Sequence, residues 1–348
     1  TAGIAVKPFS QYVSYISPAW ATEQYFGITL GVLVPLVVNF PEEPETVQEN
    51  IREIGAEILV LGPRQWESLA SFVQARMLDA GRPARLAFRL ALAVGHHISA
   101  GRLEGKPAGP LWRLLPIANI LVLRPVRDRL GLAKTYFAVS GGSAMAPDVF
   151  RFFHAIGVKL RNIYGMTEMG LFTMHQGERF DLATVGSWYK SHPHFGPPLE
   201  WQISPDGELL VRGGSGFAGY YQNPTATAAK LRDGWFSTGD AVSVTERGEL
   251  VYLERVSDMR ELATGHRFPP QFIETRLRFS PFIKDAMTLG DKEKQFVAAL
   301  INIDPETCGR WAEQRAIAYS TFPELSQRDE IRKLIRGEIA KVNRVLPP

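Results

Sequence analysis

The residues with the most chemical potential stand in two short runs. Tyr164-Gly165-Met166-Thr167-Glu168 closes a strand-like stretch from Val158 to Tyr164, about twenty residues after the glycine turn Gly141-Gly142-Ser143. Strand ends in an open α/β sheet line the ligand crevice, and glycines there let backbone amides approach a nucleotide. Tyr164 offers a ring that can stack on a base. Thr167 offers a hydroxyl to a phosphate, and Glu168 a hard carboxylate oxygen suited to Mg²⁺ beside phosphates. Taken alone, the five residues fit a strand-end turn with an exposed acid equally well.

The surrounding sequence supplies elements able to hold such a turn. Ser17 to Phe40 reads as an aromatic-rich turn, a helix around Ala21 to Val34 and the strand-like LVVNF. Thr46 to Gly55 reads as a threonine-capped helix, and EILVL (Glu57 to Leu61) as a buried strand ending at Gly62-Pro63. Trp66 to Val94 predicts two helices around Gly81 and Pro83, followed by a polar loop from Ser99 to Gly109. Gly105-Lys106 in that loop is followed by proline, which excludes a phosphate loop. Ala133 to Ser140 is strand-like and Asp148 to Ile156 helical. This alternation favours a parallel sheet. From Leu199 the period becomes two, with a turn at PDGE and a hairpin signal at Arg247-Gly248, so antiparallel sheet is expected there. Glu254 to Pro270 reads as a linker, and KDAMTLGD, a buried FVAALINI and amphipathic helices follow it.

Composition narrows the class. The chain has 348 residues, enough for two or three domains, with 45% hydrophobic and 22% charged residues, as in a globular protein. A net charge of +3 argues against nucleic acid as the main partner. One cysteine, Cys308, is compatible with a reducing cytosol and reads as a packed small hydrophobe. The longest apolar run, Ile28 to Val38, is broken by Pro35 and is too short to span a bilayer. No secretory leader is read in TAGIAVKPFSQ, and the absence of an initiator Met suggests a processed or truncated piece.

Further along stand GELLVRG, GYYQNPTATA and the run Asp233-Gly234-Trp235-Phe236-Ser237-Thr238-Gly239-Asp240. With these in order, the sequence resembles the adenylate-forming superfamily. Within it, NFPEEPETVQENIREIGAEILVLGPRQWESL, VRDRLGLAKTYFAVSGGSAMAPDVFRFFHAIGVKL and IYGMTE resemble the long-chain acyl-CoA synthetase (AMP-forming fatty acid–CoA ligase) branch. The resemblance runs from about Tyr12 to the C-terminus.

The resemblance implies a function and a set of roles. Gly141, Gly142 and Ser143 would lie along adenine and border the acyl tunnel, with Tyr164 stacked on adenine and Gly165 and Met166 beside the nucleotide. Thr167 would hold the α-phosphate, Glu168 the magnesium, and Asp240, closing the STGD turn, both ribose hydroxyls. Arg255 would reach ribose or phosphate, or else is a solvated surface arginine; Tyr252 lines the adenine pocket or is a core tyrosine. Trp20 borders the acyl entrance or is a buried helix anchor. The implied substrates are a fatty acid, ATP and CoA, with Mg²⁺, and acyl-AMP is the intermediate. Cytoplasmic localisation is expected, with peripheral contact at the inner membrane face suggested by the substrate's solubility, although no strong amphipathic anchor is read in the sequence.

The implied architecture is a large α/β domain, residues 1–255, incomplete at its N-terminus and carrying a β-rich subdomain. A small, mobile α+β domain, residues 256–348, follows, with a hinge at Arg255 to Asp258. The pattern breaks in places. The family's lysine-containing phosphate loop and its C-terminal lysine have no counterpart here, and SWYKSHPHF (Ser187 to Phe195) is extra. His192 and His194 in it read as exposed loop residues, while His96, His97 and His154 read as structural. Val256, Ser257 and Glu261 depart from the family junction. Two rivals therefore stand beside the ligase: an acyl-AMP ligase loading a carrier protein, and a non-catalytic acyl or nucleotide binder.

Overall fold

In the computed structural model, the described residues are 6–107, 109–142, 145–189, 198–213 and 216–344. Seven strands form the first sheet: β1 (Gln11–Val13), β2 (Val37–Asn39), β3 (Ile58–Leu61), β4 (Phe137–Ser140), β5 (Leu160–Met166), β6 (Gly170–Met174) and β7 (Ser187–Trp188). Their order is β2-β1-β3-β4-β5-β6-β7, parallel through β5 and antiparallel beyond it. The uninterrupted apolar run ILVL is explained by burial on both faces, since helices cover each side of a parallel sheet. Leu59 and Leu61 join the larger core with Trp66, Phe150 and Phe153, while Ile58 and Val60 join Tyr12, Val139 and Ile163 on the opposite face. Trp66 also donates its indole N–H to the Val139 carbonyl at 3.2 Å, fixing its helix to the sheet.

Helices Pro63–Asp79 and Arg82–Glu104 begin with proline in their first turns, where the missing N–H costs nothing. The second extends through the expected loop at Ser99. Ser99 turns its hydroxyl back to the His96 carbonyl, and the helix stops at Gly105 in the left-handed region, so glycine rather than polarity sets the boundary. This helix packs on helix Pro147–Ala155 at Gly95, where a Cβ would lie 2.0 Å from the Ala155 carbonyl oxygen. Helix Val47–Ile54 follows Thr46, but that hydroxyl serves the preceding tight turn, bonding Glu43 and Asn50, and does not cap the helix.

The second sheet is antiparallel: β8 (Glu200–Ile203), β9 (Glu208–Arg212), β10 (Leu231–Arg232), β11 (Trp235–Val244) and β12 (Leu250–Arg255). Ser237-Thr238-Gly239-Asp240, expected as a turn, runs within β11, and the register against β9 shifts between Ser237 and Ala241. A bulge thus re-aims Asp240 without ending the strand.

The expected linker contains a small hairpin, β13 (Arg260–Glu261) with β14 (Arg267–Phe268). Helix Pro270–Arg278, β15 (Ile283–Leu289), β16 (Ala298–Ile303) and helices Pro305–Glu313, Phe322–Gln327 and Asp329–Asn343 build a further apolar cluster around Cys308, Leu325 and Ile331. The stretch expected to be buried, FVAALINI, is largely exposed: Phe296 just before β16 and Leu300 within it face out, because the two-stranded sheet is covered on one side only. Cys308 is fully buried, as expected. Arg310 pairs with Asp79 at 2.5 Å and Gln314 donates to the Leu78 carbonyl, tying this last unit to helix Pro63–Asp79. Among the described residues, no helix is long and apolar enough to cross a membrane.

Candidate active site

A cavity of about 670 Å³ opens where β3, β4 and β5 end. This is the crevice position for a parallel sheet. Gly141 and Gly142 leave β4 there, Gly165 and Met166 close β5, and Thr167 follows them at the cavity wall. Gly142 has φ +94°, a conformation that strains any residue with a Cβ. Ser143 lies outside the described residues. Trp20, Tyr25, Phe26 and Leu171 give the cavity an apolar wall, while Gln271, Thr275 and Arg278 reach it from helix Pro270–Arg278. Trp20 is exposed at this wall, so the buried-anchor reading does not hold for it.

A second group assembles beside the cavity, between the two sheets. Tyr164 donates its phenolic hydrogen to Asp240 Oδ2 at 2.5 Å, and Arg255 Nη1 lies 2.9 Å from Asp240 Oδ1. Nη1 also donates to the Thr238 carbonyl at 3.0 Å, and no hydrogen bond reaches the buried Oδ1, so that contact is ionic only. An orphaned buried carboxylate oxygen is costly unless a donor is supplied. Burial raises the Asp240 pKa, against the opposing Tyr164 hydrogen bond and Arg255 charge; burial likewise raises Tyr164 well above its ordinary value. Tyr164 is buried, its ring centroid 5.5 Å from that of Phe172 and 5.9 Å from that of Tyr252, and none of Tyr164, Tyr252, Asp240 or Arg255 lines the cavity. Arg255 is half exposed yet engaged by Asp240, so it is not a free surface cation.

Glu168 occupies the turn between β5 and β6. Tyr220 donates to its Oε1 at 2.7 Å, and its backbone carbonyl accepts from Phe217 N, also at 2.7 Å. Among the described residues nothing engages Oε2, and no cluster of three potential metal ligands forms. One available carboxylate oxygen fits Mg²⁺, which takes one or two carboxylates and draws its remaining ligands from phosphates and water. Thr167 beside it is exposed.

Sequence reasoning missed Tyr220, although it stands in the GYYQNP run, because the contact spans 52 residues. It also missed Glu67, on the cavity wall, whose buried Oε1 lacks a partner and whose pKa burial pushes up to about 7. His154 and His175 are structural: each ring bonds a backbone carbonyl, that of Leu160 or Thr184, and neither lies in the cavity. His192 and His194 fall outside the described residues, while Ser187 and Trp188 of the extra segment pair with β6.

A mostly parallel sheet with a strand-end cavity, flanked by an antiparallel sheet, defines an α/β protein with the ligand crevice of that class. The chain belongs to the AMP-binding enzyme family, whose model matches residues 2–221, and within the adenylate-forming superfamily it falls in the long-chain acyl-CoA synthetase branch. It is 31% identical over 282 residues to the long-chain-fatty-acid–CoA ligase FadD15 of Mycobacterium bovis, covering 81% of this chain and 45% of that protein. It is 27% identical over 309 residues to long chain acyl-CoA synthetase 1 of Arabidopsis thaliana, covering 84% and 44%. The chain thus spans a little under half the length of these relatives. Among solved structures, the adenylation domain of the carboxylate reductase from Mycobacterium chelonae shares the fold, with a TM-score of 0.69 at 18% identity, covering 98% of this chain and 47% of that one.

Proposed function

We propose that this chain belongs to an ATP-dependent ligase that activates a long-chain fatty acid through acyl-AMP and passes the acyl group to CoA. The observation that carries this reading is the pairing of an apolar-walled cavity at the ends of β3, β4 and β5 with the Tyr164–Asp240–Arg255 group next to it. The long-chain and CoA assignments draw support from what FadD15 and the Arabidopsis synthetase are named for.

In the first half-reaction a carboxylate oxygen bonds to the α-phosphorus of ATP, the bond to the bridging oxygen breaks, and pyrophosphate leaves. Thr167 would donate to an α-phosphate oxygen, where negative charge grows. Bound Mg²⁺ would neutralise phosphate charge, and Glu168 would hold it through Oε2 while Tyr220 fixes the carboxylate. Asp240 would accept from ribose hydroxyls through the oxygen that has no hydrogen bond. In the second half-reaction the thiol sulfur of CoA bonds to the acyl carbon, its proton is lost to solvent and AMP leaves. A boundary near residue 255 would separate the large unit from the small one, whose helix Pro270–Arg278 faces the cavity.

The test is thermal stabilisation of this chain by non-hydrolysable acyl-adenylate mimics of increasing acyl length, against AMP alone. A ligand at about 100 times its Kd adds roughly 2.7 kcal/mol. Stabilisation that rises with acyl length and falls in Asp240→Ala is expected. No stabilisation by any mimic would overturn the reading for this chain.

A further inference from the structure

Two helical stretches that pack against each other expose a set of large apolar side chains. Helix Arg82–Glu104 buries one side against helix Pro147–Ala155 through Phe88, Ala91 and Gly95. Its opposite side carries Leu86 and Leu90, four residues apart and each more than half exposed. The helical stretch 110–129 packs along it and presents Trp112, Ile117, Ile120 and Leu121, again each more than half exposed. Gly109, just before the second stretch, sits by the last two turns of the first, where a Cβ on it would lie 3.7 Å from the His97 ring. Water-exposed apolar groups gathered in this way mark an interaction surface.

The charges around these side chains select the partner. Residues 82–129 contain nine arginines and lysines and only two acids, on a chain whose total is +3. The basic charge is therefore concentrated here, on a body that is otherwise net acidic. Arg89, Arg113 and Arg124 are exposed among the apolar residues. Their apolar stems can lie along acyl chains while the guanidinium groups bind phosphate oxygens in pairs.

We propose that helices 82–104 and 110–129 form a docking face for an anionic lipid bilayer, with the apolar side chains at headgroup depth and the arginines on lipid phosphates. The chain would lie on the membrane and not cross it. None of the residues used here lines the strand-end cavity, so the inference stands apart from the proposed ligase activity. The sequence concealed this set because Pro110, Pro116 and Pro125 break the second stretch into short helical pieces with no single regular period.

Co-sedimentation of the full chain with vesicles of phosphatidylcholine, with and without phosphatidylglycerol, tests the proposal. Binding to the anionic vesicles alone is expected, weakening as salt is raised. Two variants separate the contributions: Arg89→Glu/Arg113→Glu/Arg124→Glu, and Ile117→Ser/Ile120→Ser/Leu121→Ser. Each is expected to weaken binding at least about tenfold, and since all six side chains are exposed, the thermal unfolding temperature should stay near that of the parent. The proposal is overturned if the chain ignores anionic vesicles, or if both variants bind as the parent does. It is also overturned if the serine variant abolishes a concentration-dependent dimer while vesicle binding persists, which would assign the apolar set to a second copy of the chain.

Discussion

The phenolic oxygen of Tyr164 and the carboxylate of Asp240 meet at 2.5 Å, across 76 residues of sequence. One sits on β5 of the mostly parallel sheet and the other on β11 of the antiparallel sheet, so this hydrogen bond joins the two layers. Because Tyr164 takes only Oδ2, the second carboxylate oxygen is left with the Arg255 charge and no hydrogen bond.

That arrangement predicts how AMP binding responds to substitution. Asp240→Ala should weaken AMP binding by roughly 10- to 100-fold, since hydrogen bonds to a charged group contribute about 1.5–3 kcal/mol. Tyr164→Phe leaves both carboxylate oxygens in place and should weaken it less. Isothermal titration with AMP measures both. Equal losses in the two variants would show that Asp240 acts only by holding Tyr164.

Glu168 and Tyr220 form a pair whose members should behave differently. Glu168→Gln removes the charge that would hold Mg²⁺, so the enhancement of ATP binding by Mg²⁺ should vanish. Tyr220→Phe removes the donor at Oε1 and keeps the charge, so the enhancement should persist. ATP titrations at several Mg²⁺ concentrations read this directly. An unchanged Mg²⁺ dependence in Glu168→Gln would remove the carboxylate from the metal assignment.

Two glycines in helices should respond to alanine in opposite directions. At Gly95 a Cβ would lie 2.0 Å from the backbone oxygen of Ala155, and overpacking of this kind costs about 1–3 kcal/mol. At Gly337, in helix Asp329–Asn343, a Cβ meets nothing within 4 Å, so alanine should stabilise by up to about 1 kcal/mol through helix propensity. Urea unfolding of both variants compares them. A Gly95→Ala protein as stable as the parent would show that the helix pair does not pack as closely as described.

The alternation of apolar runs and breakers was sufficient to read β3, β4 and their flanking helices, because a parallel sheet buried on both faces leaves uninterrupted hydrophobic strands. The glycine turn and Thr167 were legible as strand-end features for the same reason. The bulge that keeps Asp240 inside β11 was not, since a turn and a bulge use the same Gly-Asp pair and only the partner strand distinguishes them. Tyr220 beside Glu168 and Glu67 on the cavity wall were hidden because tertiary packing, not local spacing, creates their environments.

Those buried environments also predict opposite pH responses from two groups. Burial holds His154 down at about 4, while its ordinary value is 6.5. The unfolded chain therefore takes up that proton first as pH falls, and the stability associated with the neutral ring is present above 6.5 and lost toward 4. Burial pushes Glu67 up to about 7 from 4.5, against the favourable charges of Arg278 and Arg64. Its contribution is present below 4.5 and lost as pH rises through 7. His154→Gln can keep a donor near the Leu160 carbonyl without titrating, so its stability relative to the parent should improve as pH drops from 7 to about 5. Glu67→Gln should instead gain on the parent as pH rises from about 5 to 8. Urea midpoints of the parent and both variants across this range compare the groups, because titrations uncoupled from the substituted residue cancel in the difference. A Glu67→Gln difference that is flat with pH would show that the carboxyl is solvated, and the burial of its Oε1 at the cavity wall would then be wrong.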